Sequence, residues 1–501
     1  MRIFVLQTFV LSLALSGCSI APKPVSLDEM SALAQTDREA MFAGVPPLTE
    51  ALSLEEAIAR ALKFNLDRRV KLIEEALAFD QTRLDAYEML PKAVANAGYL
   101  TRSNGGASTS TDYVTGLPSL ANPSYSQDRA RVVADLSFSW NVLDFGLSWY
   151  SARQSADRAL IAQERRRKAA LSIVGDVHSA YWRALGAQVL RGRMAETIRE
   201  AEQTLEQSRR TGVEQLRSPL EALRFQKTIL ENLRQLRIVE QELASANTEL
   251  AALINLPPGA PFRLAARASV ADNLRLREFS AHLPTLEERA FSSNPELLES
   301  VYQGRIAVDD TRKAMLRILP GLNLALTPQY DGNRFLIEHQ WQEASVRLAG
   351  NLVANVLTAP ARIAQSEQNE KAADARRLAL RMATLARIHI AVVQIKSAEE
   401  LFKNARAIYE VDRKIATTNE VRQQNQAQSA AETIANKTVA LVSEMRAYST
   451  FAQLQTALGR LHASVGSDLA SDQEIAELEL AELRSIVKRR MDAINAAARP
   501  G

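Results

Sequence analysis

The stretch Asn141-Val142-Leu143-Asp144-Phe145-Gly146 separates two kinds of periodicity in this chain. Before it, apolar and polar residues alternate over 131–141, which is the period of a β-strand with one apolar face. After it, a charge-rich run without proline continues to Pro219 and predicts a long helix. A similar junction, Asn355-Val356-Leu357-Thr358-Ala359-Pro360, follows a second alternating stretch and precedes a second long run. A strand that leads directly into a very long helix, twice in one chain, is the feature to explain.

The composition favours helices and excludes several kinds of partner. The chain has 501 residues, of which 24% are charged and only 6% aromatic. Alanine, leucine, glutamate, glutamine and arginine are abundant, and these residues favour long helices. The net charge of +3 is too small to indicate a polyanionic partner, so we expect no nucleic acid to bind.

The first 18 residues have the pattern of an export signal. Arg2 precedes an apolar run over 3–15, which is too short to span a bilayer as a helix. The run ends in Leu15-Ser16-Gly17-Cys18, which resembles a bacterial lipobox. That resemblance implies cleavage after residue 17, lipidation of Cys18 and attachment to outer-membrane lipid. The alternative is an ordinary secretory peptide with an incidental cysteine.

The rest of the chain predicts a tandem repeat. Ser53-Leu54-Glu55-Glu56 has the pattern of an N-terminal helix cap, and so does Thr285-Leu286-Glu287-Glu288. The helices that follow are expected to end at Leu90-Pro91 and Leu319-Pro320. We therefore divide the chain into a signal peptide, a proline-containing tether, a first repeat, a linker, a second repeat and a C-terminal amphipathic helix, over residues 1–17, 18–50, 51–258, 259–284, 285–465 and 466–501.

Each repeat carries two predicted strands of about ten residues, the length of a transmembrane β-strand. In the first repeat these are 92–100 and 131–141, separated by an exposed loop over 101–130. In the second repeat, alternation over 322–327 and 345–352 predicts the other two. An ordinary soluble sheet covered on one face by helices remains the alternative. Four strands cannot close a barrel, so membrane-spanning strands require several copies of the chain.

The predicted helices are unusually long. Gly146–Gly212 contains no proline, and Ala361–Leu458 contains neither proline nor glycine. Such helices need partners along their whole length and are expected to pack as coiled-coil pairs. The turns are predicted at Thr211-Gly212-Val213 in the first repeat and at Ala416-Thr417-Thr418-Asn419 in the second.

Together, the lipobox, the duplicated helix–strand–strand–helix unit, the junction at 141–146 and the turn near Gly212 resemble the TolC-type outer-membrane efflux family. The resemblance covers about residues 50–465. It implies a mainly α chain with a small transmembrane β part, in which long helical hairpins form a periplasmic α-barrel. It also implies a homotrimer that pools four strands per chain into a twelve-stranded outer-membrane barrel. The expected partners are a periplasmic membrane-fusion adaptor and an inner-membrane pump of the RND or ABC type.

Two sets of functional residues follow. The polar positions of the strands are expected to line the barrel pore: Ser137, Ser139, Asn323, Thr327, Ser345, Arg347 and Asn351. The turns between the long helices would form the periplasmic tip and gate: Thr211, Gly212, Ser218, Thr417, Thr418, Asn419, Gln423 and Gln426. Members of the family often carry aspartates in the tip, and the positions that correspond to them here hold Ser218, Gln423 and Gln426. The resemblance therefore implies a tip without the acidic ring.

No pattern indicates an enzyme, a metal site or a cofactor. The histidines are scattered without ligand spacing, and no glycine-rich phosphate-binding motif is present. The basic run Arg165–Lys168 is expected to lie on a solvated or subunit-facing helix surface. We predict a passive exit duct, with a lipid-anchored coiled-coil adhesin or spacer as the alternative. The cargo, whether a drug, metal, polypeptide or polysaccharide, is not determined by this sequence.

Overall fold

A computed structural model describes residues 22–118, 124–213, 219–266, 274, 282–424 and 430–497. The helices are α1 (Leu27–Met41), α2 (Leu54–Phe64), α3 (Leu66–Tyr87), α4 (Val142–Val213), α5 (Pro219–Leu253), α6 (Leu283–Ser293), α7 (Pro295–Leu316), α8 (Leu352–Gln424), α9 (Ala430–Val465), α10 (Asp472–Glu477) and α11 (Leu480–Ala497). The strands are β1 (Lys92–Thr101), β2 (Ala107–Ser108), β3 (Ser124–Tyr125), β4 (Ala130–Asn141), β5 (Gly321–Asp331) and β6 (Gln340–Ala349).

The element order repeats as the sequence indicates. Two short helices, two long strands and two long helices occur in each half, as α2, α3, β1, β4, α4, α5 and again as α6, α7, β5, β6, α8, α9. The four long strands form one antiparallel sheet in the order β1-β4-β5-β6. The two halves of the chain therefore contribute equally to a single sheet.

Each half contains a helix break that the sequence analysis missed. One continuous helix was expected from Ser53 to about Met89, but the chain divides it at Asn65. The Asn65 Oδ1 accepts from Arg68 N at 3.1 Å, and its Nδ2 donates to Leu253 O at 3.1 Å. Asn294 does the same in the second half, accepting from Leu297 N at 3.1 Å and donating to Ser464 O at 2.7 Å. One asparagine per repeat thus caps a helix and holds it to the end of a long helix.

The predicted cap at Ser53 is confirmed, and the one at Thr285 is wrong. Ser53 accepts from Glu56 N at 3.2 Å at the start of α2. Helix α6 begins earlier, at Leu283, with Pro284 in its first turn, where a missing N–H costs nothing. Thr285 therefore lies inside the helix, with its hydroxyl 2.8 Å from the Nδ1 of His282.

The sequence paired Asn141 with Asn355 at the two strand–helix junctions, but in the structure the counterpart of Asn141 is Asn351. Asn141 ends β4 and its Oδ1 accepts from Leu143 N at 2.9 Å, which caps α4. In the second half Asn351, predicted to lie in the strand, follows β6 and accepts from Ala354 N at 3.3 Å. Asn355 lies one turn further inside α8. Pro360, expected at the helix start, also lies inside α8, where it cannot donate to the preceding turn.

The long helices α4 and α8 contain 72 and 73 residues, which corresponds to about 110 Å each. The break expected at Ala416–Asn419 is wrong, because α8 continues to Gln424. Thr417 and Thr418 donate to carbonyls of the preceding turn, so their hydroxyls are satisfied within a helix. In the first half, Thr211 and Gly212 are among the last helical residues of α4. Ser218 and Gln426 lie outside the described residues.

The long helices lie side by side in one layer, apart from an additional contact between α5 and α9. On the sheet side of the molecule the order is α3, α4, α7, α8, and further from the sheet it is α5, α4, α9, α8. The largest buried cluster lies about halfway along α4, where Tyr181 and Leu185 pack with Leu250 and Phe451. The C-terminal helix, predicted to be amphipathic, packs there against α2 and buries Leu483 and Val487.

The segment predicted to be an irregular tether contains a helix. Ser26 caps α1 by accepting from Glu29 N at 3.1 Å, and all fifteen residues of the helix are at least partly exposed. Cys18, the expected lipidation site, lies outside the described residues.

Candidate functional site: a two-faced sheet and an open helical wall

Six of the seven predicted pore residues share one face of the sheet. Asn323 is opposite Arg347, and Ser345 is two positions away on β6, so these side chains point the same way. On β4, Ser137 and Ser139 fall on this face as well. The Thr327 hydroxyl lies 3.4 Å from that of Ser137, across the pair of strands joining the two halves. Asn351 is the exception, because it caps α8 beyond the end of β6.

Additional polar residues on this face were missed in the sequence. Asn96 donates to Asp135 at 2.9 Å, and Gln329 donates to Glu343 at 2.9 Å. Arg131 and Asp331 form an ion pair at 2.9 Å. In β1 alanines occupy several alternate positions, so the sequence does not show which face of this strand is polar. The three cross-strand pairs extend the polar face along the strands.

The opposite face of the sheet is apolar and uncovered. Phe138 is opposite Leu326, and Trp140 is opposite Leu324, which is opposite Val346. The exposed fractions are 46% for Leu326 and 72% for Val346. At the helix end of the sheet the Phe145 ring of α4 lies 5.6 Å from the Trp140 ring, while Phe138, Leu326 and Val346 stay exposed. A sheet that exposes apolar side chains on one face and polar ones on the other fits between lipid and water.

The sheet has two free edges. Within the described residues, β1 pairs only with β4, and β6 pairs only with β5. Neighbouring strands alternate in direction, so β6 of one copy can pair in antiparallel fashion with β1 of another. Unpaired backbone groups along an edge are not tolerated in lipid, so this sheet, if placed in a membrane, would have to be closed by further copies.

A cluster of hydrogen bonds joins the loops at the end of the sheet far from the long helices. Asn333, which is 3% exposed, donates to Ser126 O at 2.8 Å and accepts from Asp128 N at 3.1 Å. Arg334 forms an ion pair with Asp128 at 2.9 Å. Asp331-Gly332-Asn333 has the composition of a turn. In the structure it fixes the start of β4 to the end of β5.

The helical layer also has two free edges, and both carry exposed apolar stripes. On α3 the spacing of three and four residues is that of a coiled-coil seam, with Leu66, Val70, Ile73, Leu77 and Leu84 exposed. On α8 a longer stripe includes Leu378, Met382, Ile390, Val393, Leu401, Ile408, Val411 and Ile415. Of the described helices, α8 alone contains an apolar window long enough to cross a membrane, and a helix in a packed wall meets the same criterion.

Near the far end of the long helices, a lysine joins three of them. Lys437 on α9 pairs with Glu200 on α4 at 2.9 Å and with Glu420 on α8 at 3.2 Å. Asn419, in the predicted tip, is buried beside this bridge, whereas Gln423 is exposed. No local pattern predicts this bridge, since Glu200 and Lys437 are 237 residues apart in the chain.

Two of the five histidines lie partly buried where α4 and α9 meet. His178 on α4 and His462 on α9 both have a pKa lowered to about 4, mainly because burial disfavours the charged ring. Arg289 lowers the pKa of His462 further, and His462 lowers that of His178. In the described part of the chain, no three His, Cys, Asp or Glu side chains are grouped as metal ligands would be.

Known proteins resemble this chain in fold more than in sequence. No family model matches it, and no curated protein does. Among solved structures, the outer-membrane channel OprN aligns with 83% of this chain and 90% of its own, at 14% identity and a TM-score of 0.62. The CmeC outer-membrane channel of Campylobacter jejuni aligns with 87% of this chain and 89% of its own, at 14% identity and a TM-score of 0.61. The MtrE outer-membrane channel of Neisseria gonorrhoeae aligns with 82% of this chain and 88% of its own, at 15% identity and a TM-score of 0.59.

Proposed function

We propose that this chain, which has the fold of the TolC-type outer-membrane channels, is a subunit of a channel that passively conducts substrates out of the cell. The two-faced sheet supports the proposal most directly. Its apolar face suits the hydrocarbon of a membrane and its polar face suits a water-filled pore. The sheet continues into helices of about 110 Å, long enough to extend the pore far from the membrane.

The channel is a homotrimer in this proposal. The free edges of the sheet and of the helical layer require copies of the chain, and three copies would supply twelve strands and twelve helical columns. The stripe on α8 then packs against α3 of the next copy near the sheet and against α5 further away. The number three comes from the resemblance to known channels, and the need for copies comes from the unpaired edges.

The substrates enter from a periplasmic adaptor and an inner-membrane pump of the RND or ABC type, which dock near the ends of α4 and α8. Cys18 anchors the chain to outer-membrane lipid. The tip lacks the expected aspartates, with Gln423 and Gln426 in their places, so we propose weak cation selectivity. A secreted polypeptide or polysaccharide is not excluded as cargo. An adhesin or spacer, the alternative function, would have no use for a sheet with one apolar face left uncovered.

Single-channel conductance of the purified protein in planar bilayers tests this proposal. We expect stable conductance, and higher cation selectivity in the Gln423→Asp/Gln426→Asp variant, because six added carboxylates would surround the tip of a trimer. Gln423→Glu/Gln426→Asn is the matched control with half the added charge, and should shift the reversal potential by less. A trimer that conducts neither as purified nor after deletion of residues 413–425 would contradict the channel and favour the spacer.

A further inference from the structure

Helix α1 has the pattern of a coiled-coil helix, but none of its residues is buried by the described part of the chain. Leu27, Met30, Ala34 and Met41 follow one another at intervals of three, four and seven residues, and so fall on one stripe. Leu27 is 89% exposed and Met30 is 61% exposed. An apolar stripe on a capped helix indicates a binding face. A helix of this length is only marginally stable alone in water, and packing of its apolar stripe against a partner stabilises it.

The C-terminal end of α1 is held at a defined height on the molecule. Met41 O accepts from Asn255 Nδ2 at 2.8 Å, just after the end of α5. The neighbours of Asn255, Ile254 and Leu256, belong to the same buried cluster as Tyr181 on α4. Leu253, two residues before Asn255, accepts from Asn65 Nδ2 through its carbonyl, and α3 together with residues 88–91 covers roughly 45 Å between Asn65 and the sheet. The base of α1 therefore lies far below the proposed membrane.

The length of chain before Met41 limits where α1 can go. Eight residues in extended form and the fifteen of α1 span roughly 50 Å from Cys18 to Met41. If Cys18 is anchored in the membrane, as in the proposed function on which this inference rests, this segment has to run nearly straight beside the helical wall. A path that lay flat on the membrane, or wound around the molecule, would be too short.

The charge of α1 identifies the surface that it meets. Its four carboxylates and one arginine make it acidic, with Asp37 on the apolar stripe between Ala34 and Met41. An acidic helix is repelled by anionic lipid surfaces, so a membrane is a poor partner. The half of α8 nearer the sheet, residues 352–395, carries six cations against three anions. Its stripe there exposes Leu378 and Met382, and the exposed Arg376 beside them has no ion-pair partner in the described chain.

Within one chain α8 is at the far edge of the helical layer, three columns away from α3. The α8 that comes next to α3, and so next to the base of α1, belongs to a neighbouring copy. We propose that α1 is a strap between copies: it lies outside the seam between α3 and the α8 of the next copy, with Met30 near that copy's Leu378 and Met382. The strap would couple the lipid anchor of one chain to the wall of another.

Disulfide formation between two different chains tests the strap. Cys18 is the only cysteine, and lipidation would block its thiol, so introduced cysteines report without background. A chain with Met30→Cys is co-expressed with a differently tagged chain carrying Met382→Cys, and membranes are oxidised. We expect a band containing both tags. Glu39→Cys, on the opposite side of α1, is the matched control and should give at least tenfold less of it.

Trimers that conduct ions but give no mixed band with Met382→Cys or Leu378→Cys would contradict the proposal that α1 is a strap, without contradicting the proposed channel function. Bands that form only within one chain, or a probe at Met30 quenched by lipid-borne quenchers, would overturn it as well. A reversal of charge gives an independent readout. Asp37→Arg, on the stripe, should lower the temperature at which trimers dissociate on gels by several degrees, whereas Glu39→Arg, on the opposite side of α1, should leave it nearly unchanged. Failure to form trimers at all, even in the unmodified chain, would instead contradict the proposed function.

Discussion

At the scale of single residues, asparagine makes the structural connections of this fold. Asn65 and Asn294 each end one helix, begin the next and donate to the end of a long helix. Asn141 and Asn351 each join a strand to a long helix. Asparagine suits these places because one side chain both accepts from a free N–H and donates to a free carbonyl. The sequence analysis recognised Asn141 only.

Asn294→Ala should lower the free energy of unfolding by about 1–2 kcal/mol, because the cap bond and the bond to Ser464 O are both lost. The measurement is thermal or denaturant unfolding of the purified protein. Asn294→Asp keeps the acceptor but loses the donor, so its free energy of unfolding should fall by less than that of Asn294→Ala. Equal losses for the two variants would show that the cap bond contributes nothing.

The two buried histidines should make the protein less stable in acid. Each has a folded pKa of about 4, below the ordinary 6.5, so between these pH values the unfolded chain binds more protons than the folded one. Stability therefore falls as the pH drops from about 6.5 towards 4, by roughly 1–3 kcal/mol per histidine.

Replacing both histidines isolates this effect from the carboxylates. Asp176 on α4 has a pKa raised by burial, so its protonation acts in the opposite direction over part of the same range. The His178→Phe/His462→Gln variant should lose less stability between pH 7 and pH 5 than the unmodified protein, measured as the unfolding midpoint at each pH. If the unfolding midpoints of the two proteins changed equally with pH, the histidines would not be neutral in the folded protein.

At the scale of elements, the long helices pack closely because glycine is placed at particular contacts. A Cβ on Gly186 of α4 would lie 2.9 Å from the side chain of Tyr448 on α9. A Cβ on Gly459 would lie 3.1 Å from the Cα of Gly175, where the same two helices meet again. Gly192, also in α4, has nothing within 4 Å of that position. The sequence shows all of these as isolated glycines in a helical run.

Gly186→Ala should destabilise the protein by about 1–3 kcal/mol, since Tyr448 is fully enclosed and cannot move aside cheaply. Gly192→Ala, in the same helix, should instead be neutral or stabilise by up to about 1 kcal/mol through helix propensity. Unfolding midpoints of the two variants test the contrast. If both glycines responded alike, the close approach of α4 and α9 would be contradicted.

At the scale of the whole molecule, the free edges decide the behaviour in solution. Ile408→Asp places a carboxylate in the middle of the exposed stripe on α8, where it would be buried without a partner once copies assemble. We expect the variant to run mainly as a monomer in size-exclusion chromatography with light scattering in detergent. Ile408→Leu, which keeps an apolar side chain there, should remain a trimer. A trimeric Ile408→Asp variant would show that copies assemble through another surface.

The sequence by itself determined the repeat, the strand–helix junction at Asn141 and the two faces of the sheet, because periodicity, proline stops and caps depend on neighbours a few residues away. The structure decided the breaks at Asn65 and Asn294, and it brought Lys437 to Glu200 and His178 towards His462. These depend on partners roughly 170 to 290 residues away in the chain, which leave no local pattern to read. The continuation of α8 through Thr417 and Thr418 rests on local hydrogen bonds, but polar β-branched residues occur both in turns and in packed helices, so only the structure decided between the two.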